Sequence, residues 1–256
     1  MLEYIKDLAQ NAGSIIREGY LAKTGRITHK GVIDLLTDTD LASEEYLTGN
    51  IKGKFPDDMI LAEEQNSQFI SGERIWIIDP LDGTTNFVHR FPFCAVSIAL
   101  EINNVTSFAV VYNPVFDEMF WASRGKGSYL NGKRISVSAT DCLNNALVAT
   151  GFPYDRWQHA DYYLQEYLAF MKNTQGVRRT GAAALDLCYV ACGRLDGFFE
   201  HKLKPWDTAA GSLIVQEAGG FISDYDNGNW YWTADTIVAS NNRIHAAMIK
   251  ILASCH

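Results

Sequence analysis

An α+β layered sandwich is the fold class predicted for this chain of 256 residues. Three observations lead there. The first half opens on a long amphipathic segment and then runs through short apolar stretches bounded by turn residues, the pattern of sheet strands. The second half interleaves helix-like and strand-like segments without the strict alternation of a doubly wound sheet. No internal repeat or flexible linker interrupts the chain, so its approximate halves, residues 1–145 and 146–256, are expected to share one core.

Each element has its own signal. Leu2, Ile5, Leu8, Ala12, Ile15, Ile16 and Tyr20 recur at helical spacing and make residues 2–20 an amphipathic helix. Residues 23–36 are mixed and turn-rich, the composition of a mobile hairpin or flap. A second helix starts near Thr37, whose spacing to Asp40 matches a capping box. Met59–Ala62 and Ile75–Ile78 read as short buried strands, each running straight into carboxylates. Cys94–Leu100, Val105–Val111 and Glu118–Ala122 follow as successive strands. Further on, Leu147–Thr150, Phe198–Phe199 and Ile237–Ser240 read as strands. Helices are expected at Tyr162–Phe170, at Ala182–Cys192 closed by Gly193, at Thr208–Ala218 ended by Gly219-Gly220, and at Ile244–Leu252.

Composition excludes several classes. Hydrophobic residues make up 47% and charged residues 20%, too apolar for a disordered chain. The 22 Lys and Arg against 30 Asp and Glu leave a net charge of −8 with no basic run, which argues against direct nucleic-acid binding. An anionic ligand would then need another attraction, and a bound metal is one means. Cys94, Cys142, Cys188, Cys192 and Cys255 are scattered without a CxxC pair, so neither a disulfide framework nor a zinc ribbon is expected. Cys188 and Cys192 read as free thiols of an apolar helix. The opening Met1-Leu2-Glu3-Tyr4 lacks a long apolar stretch, and no run nears the ~20 residues that span a bilayer. The expectation is a soluble cytoplasmic protein without membrane contact.

The densest chemical signal is Asp79-Pro80-Leu81-Asp82-Gly83-Thr84-Thr85-Asn86. An apolar strand ends in Asp79, a Pro-x-Asp-Gly turn reverses the chain, and hydroxyl residues open a helix. Such a turn can aim two carboxylates and the Leu81 carbonyl into one small volume, a set of hard oxygen donors suited to Mg²⁺. The backbone N–H groups of Gly83 and Thr84 would then face a phosphate. Taken alone, the tetrapeptide reads first as an ordinary turn. Other acids sit comparably: Glu63-Glu64 after the Met59–Ala62 strand, Asp207 after Trp206, and Asp34, Asp38 and Asp40 near a helix start. By spacing alone Glu63 and Glu64 are equally solvated loop acids, and Asp40 and Asp207 equally helix caps.

Competing motifs fail. Gly127-Ser128-Tyr129-Leu130-Asn131-Gly132-Lys133 matches most of a P-loop, but Arg134 stands where Ser or Thr must hold Mg²⁺, and Asn131-Gly132 reads as a hairpin turn. Asp224-Tyr225-Asp226-Asn227-Gly228 lacks the closing Glu of a calcium loop and again reads as a hairpin. The six histidines show no HExxH spacing; His89 and His201 lie nearest the acidic motifs and read as structural. No GxSxG elbow is present.

Trp76-Ile77-Ile78-Asp79-Pro80-Leu81-Asp82-Gly83-Thr84-Thr85-Asn86-Phe87 resembles the first signature of the inositol monophosphatase family of Mg²⁺-dependent, lithium-sensitive phosphatases. Trp206-Asp207-Thr208-Ala209-Ala210-Gly211 with Glu217-Ala218-Gly219-Gly220 resembles the second. Ala62-Glu63-Glu64 and Asp34-Leu35-Leu36-Thr37-Asp38-Thr39-Asp40 extend the likeness over nearly the whole chain. The resemblance implies a sugar-phosphatase sandwich of alternating α and β layers, forming a homodimer, with two to three Mg²⁺ ions in each active site. It implies that Glu63, Asp79 and the Leu81 carbonyl hold the first ion, Asp79, Asp82 and Asp207 the second, and Glu63 with waters a weaker third. A metal-activated water then attacks phosphorus, deprotonated with the help of Glu63 and of Thr84 hydrogen-bonded to Asp40. Glu63, Thr84 and Asp40 are thus the implied catalytic residues. Asp82, Gly83, Thr84, Ala183, Glu200 and Asp207 are the implied substrate contacts, and Lys30 matches a flap lysine.

Asn86-Phe87-Val88-His89-Arg90-Phe91-Pro92-Phe93 resembles inositol monophosphatase proper. Ala182 departs from the Thr of many animal members, and Arg178–Leu187 with Lys204-Pro205-Trp206-Asp207 resembles bacterial ones. The implied activity is hydrolysis of myo-inositol monophosphate to myo-inositol and phosphate. The same chemistry on fructose 1,6-bisphosphate or a 3′,5′-bisphosphate nucleotide is the nearest alternative. A protein-binding role with the transcription machinery is the alternative of another class.

Overall fold

The computed structural model describes residues 1–22, 27–29, 35–64 and 71–255. Lys30 and Asp34, and with them the centre of the 23–36 segment, lie outside the described residues. Helix α1 (Leu2–Ala22) buries Ile5, Leu8, Ala12 and Ile16, the stripe that helical spacing selects. Strands β1 (Ile27–His29) and β2 (Leu35–Thr37) pair antiparallel, as a hairpin requires. Helix α2 (Asp38–Lys54) starts behind Thr37: its hydroxyl accepts from the Thr39 and Asp40 N–H groups, while Asp40 accepts from the Thr37 N–H at 2.8 Å. Asp40 is therefore the third residue of the helix and not its cap.

Strands β3 (Met59–Ala62), β4 (Arg74–Asp82), β5 (Ala95–Ile102), β6 (Val105–Asn113), β7 (Glu118–Ser123), β8 (Ser128–Leu130) and β9 (Lys133–Ile135) form a seven-stranded sheet in sequence order, with the short helix α3 (Thr84–Val88) between β4 and β5. Only its β3–β4 pair is parallel. The expected chain reversal at Pro80 does not occur. Strand β4 continues to Asp82, and the register with β5 shifts between Asp79 and Asp82. Pro80 is accommodated at that bulge, where no ladder N–H is required of it. Asn131 (φ 47°) and Gly132 (φ 78°) turn β8 into β9, so the P-loop-like run is a hairpin.

A second sheet, of five strands, is built from β10 (Leu147–Thr150), β11 (Gly176–Arg178), β12 (Gly197–His201), β13 (Phe221–Ser223) and β14 (Thr236–Ser240) in the order β11-β10-β12-β14-β13. Asp224 follows β13 and accepts from the Gly228 N–H at 2.6 Å, so the calcium-loop-like run is a turn between two antiparallel strands. Helices α4 (Arg156–Asn173), α5 (Ala183–Ala191), α6 (Pro205–Glu217) and α7 (His245–Ala253) accompany this sheet. Helix α4 opens on a turn from Arg156 to Gln158 that a kink sets off, with non-helical backbone at His159 (φ −126°, ψ 25°), and the apolar period that starts at Tyr162 follows that kink. Helix α6 begins at Pro205, whose fixed φ suits a first helical turn.

Alternation along the strands sorts the layers. In β4, Ile75 and Ile77 join one core cluster, and Trp76 and Ile78 join another with α1 and α2. In the second sheet, Ala149, Phe198, Ile237 and Ala239 face the first cluster, while Val148, Phe199 and Val238 face a third with α4 and α7. Helix and sheet layers therefore alternate, with α5 and α6 sandwiched between the two sheets. Strands covered on both faces need apolar residues throughout, which is why they read as continuous apolar runs. The middle cluster draws residues from both sides of position 145. We infer that the two halves unfold together: tryptophan fluorescence and far-UV dichroism should give coincident transitions, and two resolved transitions would separate them.

His245 staples α7 to the second sheet. Its Nδ1 and Nε2 lie 2.9 Å from the hydroxyls of Ser240 and Ser223. The Ser223 proton goes to the Asp224 carbonyl at 2.6 Å, so Nε2–H donates to Ser223 and Nδ1 accepts from Ser240. Burial pushes this imidazole down to about 4 from 6.5. Between those values the unfolded chain binds the extra proton, so this contribution to stability is complete above about pH 6.5 and is lost as pH falls toward 4. The gap is worth on the order of 3 kcal/mol. Urea unfolding of wild type and His245→Asn at pH 7.5, 6 and 4.5 should show a flatter slope in the variant, and equal slopes would contradict this assignment.

Candidate metal and phosphate-ester site

A cavity of about 640 Å³ opens where the carboxyl ends of β3 and β4 meet the starts of α5 and α6. Glu63, Asp79, Leu81, Asp82, Gly83, Thr84, Ala183, Glu200 and Asp207 all line it. Carboxylate oxygens of Asp79, Asp82 and Asp207 lie within 4.8 Å of one another. Glu63 stands on the wall outside that tight trio. Glu64 is not part of this lining, and its backbone N–H donates to Glu44 at 2.8 Å.

Backbone donors fix each aspartate. Asp79 accepts from the Leu81 N–H at 2.9 Å across the bulge, and the Ser43 hydroxyl ties the Pro80 carbonyl to α2 at 2.8 Å. Asp82 accepts from the Ala184 N–H at 2.8 Å, at the first turn of α5. Ala182, the residue preceding that helix, has no side chain to cap it. A carboxylate from the far half of the chain does so instead, at the positive end of the helix dipole. Asp207 accepts from the Lys204 N–H at 2.6 Å and is the third residue of α6, not its cap. The Ser97 hydroxyl reaches the Trp206 carbonyl at 3.2 Å and holds the start of α6 against β5.

Crowding raises the proton affinity of these acids. Asp79 is pushed well above the usual carboxylate range by burial, then by the charges of Glu63, Asp82 and Asp207. Burial and Asp207 do the same to Asp82, and burial pushes Asp207 up to about 6. Three mutually repelling, all-oxygen donors form the set that a hard divalent cation satisfies, so the residues fit such a metal.

Asp40 is buried just behind the cavity. The Thr84 hydroxyl lies 3.0 Å from Asp40 Oδ1 and 3.1 Å from the Leu81 carbonyl and donates into that pair. Asp40 also takes the Thr37 hydroxyl and is shifted upward by burial. Glu200 on β12 is raised well above the usual range by burial, then by Asp186. Gly151 abuts it: a Cβ there would stand 2.1 Å from Glu200 Oε1.

Sequence reasoning did not single out Asp186, Arg156 or Arg179, which also line the cavity. Asp186 Oδ1 and Oδ2 lie 2.5 and 2.6 Å from the Thr180 hydroxyl and share its one proton, and burial pushes Asp186 up to about 8. The Thr180-to-Asp186 spacing is visible in the sequence, but nothing local shows that it faces a cavity. His201 also lines the wall, and Glu166 holds its Nε2 at 2.7 Å. Cys188 is a buried free thiol, as expected, whereas Cys192 is a free thiol only half-buried at the end of α5.

A layered α/β sandwich whose strand ends and helix starts converge on an oxygen-rich cavity defines a class of phosphoric monoester hydrolases. The profile of the inositol monophosphatase family matches residues 1–256, and the chain belongs to this metal-dependent family. It is 43% identical over 251 residues to "Nus factor SuhB" of Escherichia coli K12, covering 97% of this chain and 94% of that protein. It is 42% identical over 257 residues to "Inositol monophosphatase 3" of Solanum lycopersicum, covering 98% and 96%. Among solved structures, the extragenic suppressor protein SuhB of Bartonella henselae superimposes with a TM-score of 0.91 at 40% identity, covering 97% of this chain and 96% of that one. No helix among the described residues is long and apolar enough to cross a membrane.

Proposed function

We propose that this chain hydrolyses myo-inositol monophosphate to myo-inositol and phosphate with two to three Mg²⁺ ions. The observation that carries the reading is the convergence of Asp79, Asp82 and Asp207 oxygens within 4.8 Å in a cavity sized for a small polyol ester. Asp79, Asp82, Asp207, Glu63 and the Leu81 carbonyl would hold the ions. Bound there, Mg²⁺ supplies positive charge that neutralises the phosphoryl group and acidifies water.

The chain's own residues then divide the work. Thr84 donates its hydroxyl hydrogen bond to Asp40 and the Leu81 carbonyl, which leaves the hydroxyl oxygen to accept from and orient the attacking water. Glu63, a cavity-lining carboxylate, takes the proton. Gly83 and Thr84 offer N–H groups to the phosphate, and Ala183 and Glu200 contact the alcohol, the carboxylate accepting from ring hydroxyls. Gly151→Ala should swing Glu200 out of place, since its Cβ would overlap the carboxylate. We expect a KM raised about tenfold for the preferred ester and a kcat within a few-fold; steady-state kinetics yielding an unchanged KM would count against the Glu200 contact.

Phosphate release from inositol 1-phosphate, fructose 1,6-bisphosphate, adenosine 3′,5′-bisphosphate and histidinol phosphate, each with Mg²⁺, with EDTA and with added Li⁺, tests the reading. Mg²⁺-dependent, Li⁺-inhibited release strongest on inositol 1-phosphate is expected. Stronger turnover of another member would keep the site and replace the substrate. We further propose a cytoplasmic homodimer. The relatives named Nus factor favour a second role as a partner of the transcription machinery. If Asp82→Asn abolished hydrolysis yet kept a cellular phenotype, that role would gain.

A further inference from the structure

Two buried acids on the cavity wall are short of hydrogen-bond donors. Glu200 on β12 is 8% exposed and lines the cavity. Among the described residues its carboxyl has no hydrogen bond and no ion pair. Asp186, in the first turn of α5, is 1% exposed and lines the same cavity. Its two oxygens meet a single donor among the described residues, the Thr180 hydroxyl at 2.5 and 2.6 Å. A carboxylate offers about four lone-pair sites, so one shared proton leaves most of them unserved.

The two acids are neighbours. Helix α5 packs against β12, and after burial the charge of Asp186 is the largest influence that raises Glu200. Thr180 is itself pinned: its carbonyl accepts from Asn86 Nδ2 at 2.8 Å, and the same amide reaches the Phe93 carbonyl at 2.8 Å. Buried polar groups without partners are costly unless a ligand serves them. A shared metal ion is not that ligand, because the carboxylates close enough to hold one are Asp79, Asp82 and Asp207 among the described residues. Burial favours the neutral form of both acids, which suits neutral hydroxyls that donate and accept over a cationic group.

We propose that Asp186 is a specificity-determining residue that binds a second hydroxyl of the substrate's alcohol beside the one taken by Glu200. The proposal rests on the phosphatase reading above and deepens it: the site selects monophosphate esters of polyhydroxylated rings. Glu200 serves one ring hydroxyl and Asp186 another. An ester whose alcohol carries no hydroxyl leaves both buried acids without partners and is rejected for that reason.

The test compares kcat/KM on myo-inositol 1-phosphate and phenyl phosphate at saturating Mg²⁺, using the full chain. Asp186→Ala should lower the inositol-to-phenyl ratio by about tenfold or more, the size of a hydrogen bond to a buried acid. Asp186→Asn should lower it by less, since the amide keeps one acceptor oxygen for Thr180 and the ring to share. Inhibition of phenyl phosphate hydrolysis by myo-inositol should weaken in the same order. Thr180→Val removes the internal bond and keeps the carboxyl, so its ratio should stay close to wild type. A fall in Thr180→Val equal to that in Asp186→Ala would make Asp186 a brace of α5 and overturn the contact. An unchanged ratio in the Asp186 variants, or in the asparagine variant alone should alanine prevent folding, would also overturn it and leave the phosphatase reading standing. Wild-type turnover of neither ester would overturn both.

Discussion

Asp82→Asn is expected to lower kcat on phosphate esters by about a thousandfold or more, or roughly 4 kcal/mol of barrier, with the fold intact. The asparagine carbonyl keeps the bond from the Ala184 N–H at 2.8 Å, so the first turn of α5 stays capped. What disappears is one negative charge of three whose oxygens lie within 4.8 Å of one another. Burial and Asp207 already hold Asp82 far above the usual carboxylate range, so loss of its charge relieves repulsion. The melting temperature without Mg²⁺ should therefore be equal or higher, while the rise on adding Mg²⁺ should shrink. Asp79→Asn and Asp207→Asn should behave alike, because the Leu81 and Lys204 N–H donors are equally served by an amide oxygen. Normal turnover in any of the three at saturating Mg²⁺ would contradict the site.

Gly83→Ala is expected to cost both stability and turnover. Gly83 joins the last residue of β4 to α3 with φ at 85°, a left-handed conformation that costs other residues about 1–2 kcal/mol. An added Cβ would also stand 2.9 Å from the Phe93 carbonyl and 3.2 Å from Ala182 Cβ, so the backbone has to shift. That shift moves Asp82 on one side and Thr84 on the other. We expect a loss of about 2–4 kcal/mol in urea unfolding with an unchanged slope, together with a kcat reduced at least tenfold. Gly83→Asn separates the two causes: asparagine tolerates the dihedral but keeps the overlap. A variant as stable as wild type would show that the overlap is relieved cheaply and the dihedral alone matters.

The apolar interiors of strands and helices were legible because each is a local property. The stripe of α1, the apolar runs of β4 and β5 and the Thr37–Asp40 capping box all depend on side chains a few residues apart. Errors fell where tertiary contacts overrode local chemistry. Pro80-Leu81-Asp82-Gly83 has the composition of a reversing turn, yet pairing with β5 and the Ser43 bond to the Pro80 carbonyl keep it as a bulged strand. The first turn of α4 is set off by the kink at His159, so the apolar period reports only the helix beyond it.

Sequence by itself determined the alphabet of this protein: two-sided apolar strands that demand a layer on each face, and oxygen-bearing residues at the ends of the elements. The family signatures tied those residues to phosphate-ester chemistry. Only the tertiary structure decided which of them meet. Asp207 reaches Asp79 and Asp82 because α6 lies between the two sheets, and Asp82 caps a helix from the other half. Spacing specifies the face of one element, whereas convergence depends on how whole layers stack, and that is set by the sum of long-range burial across the core.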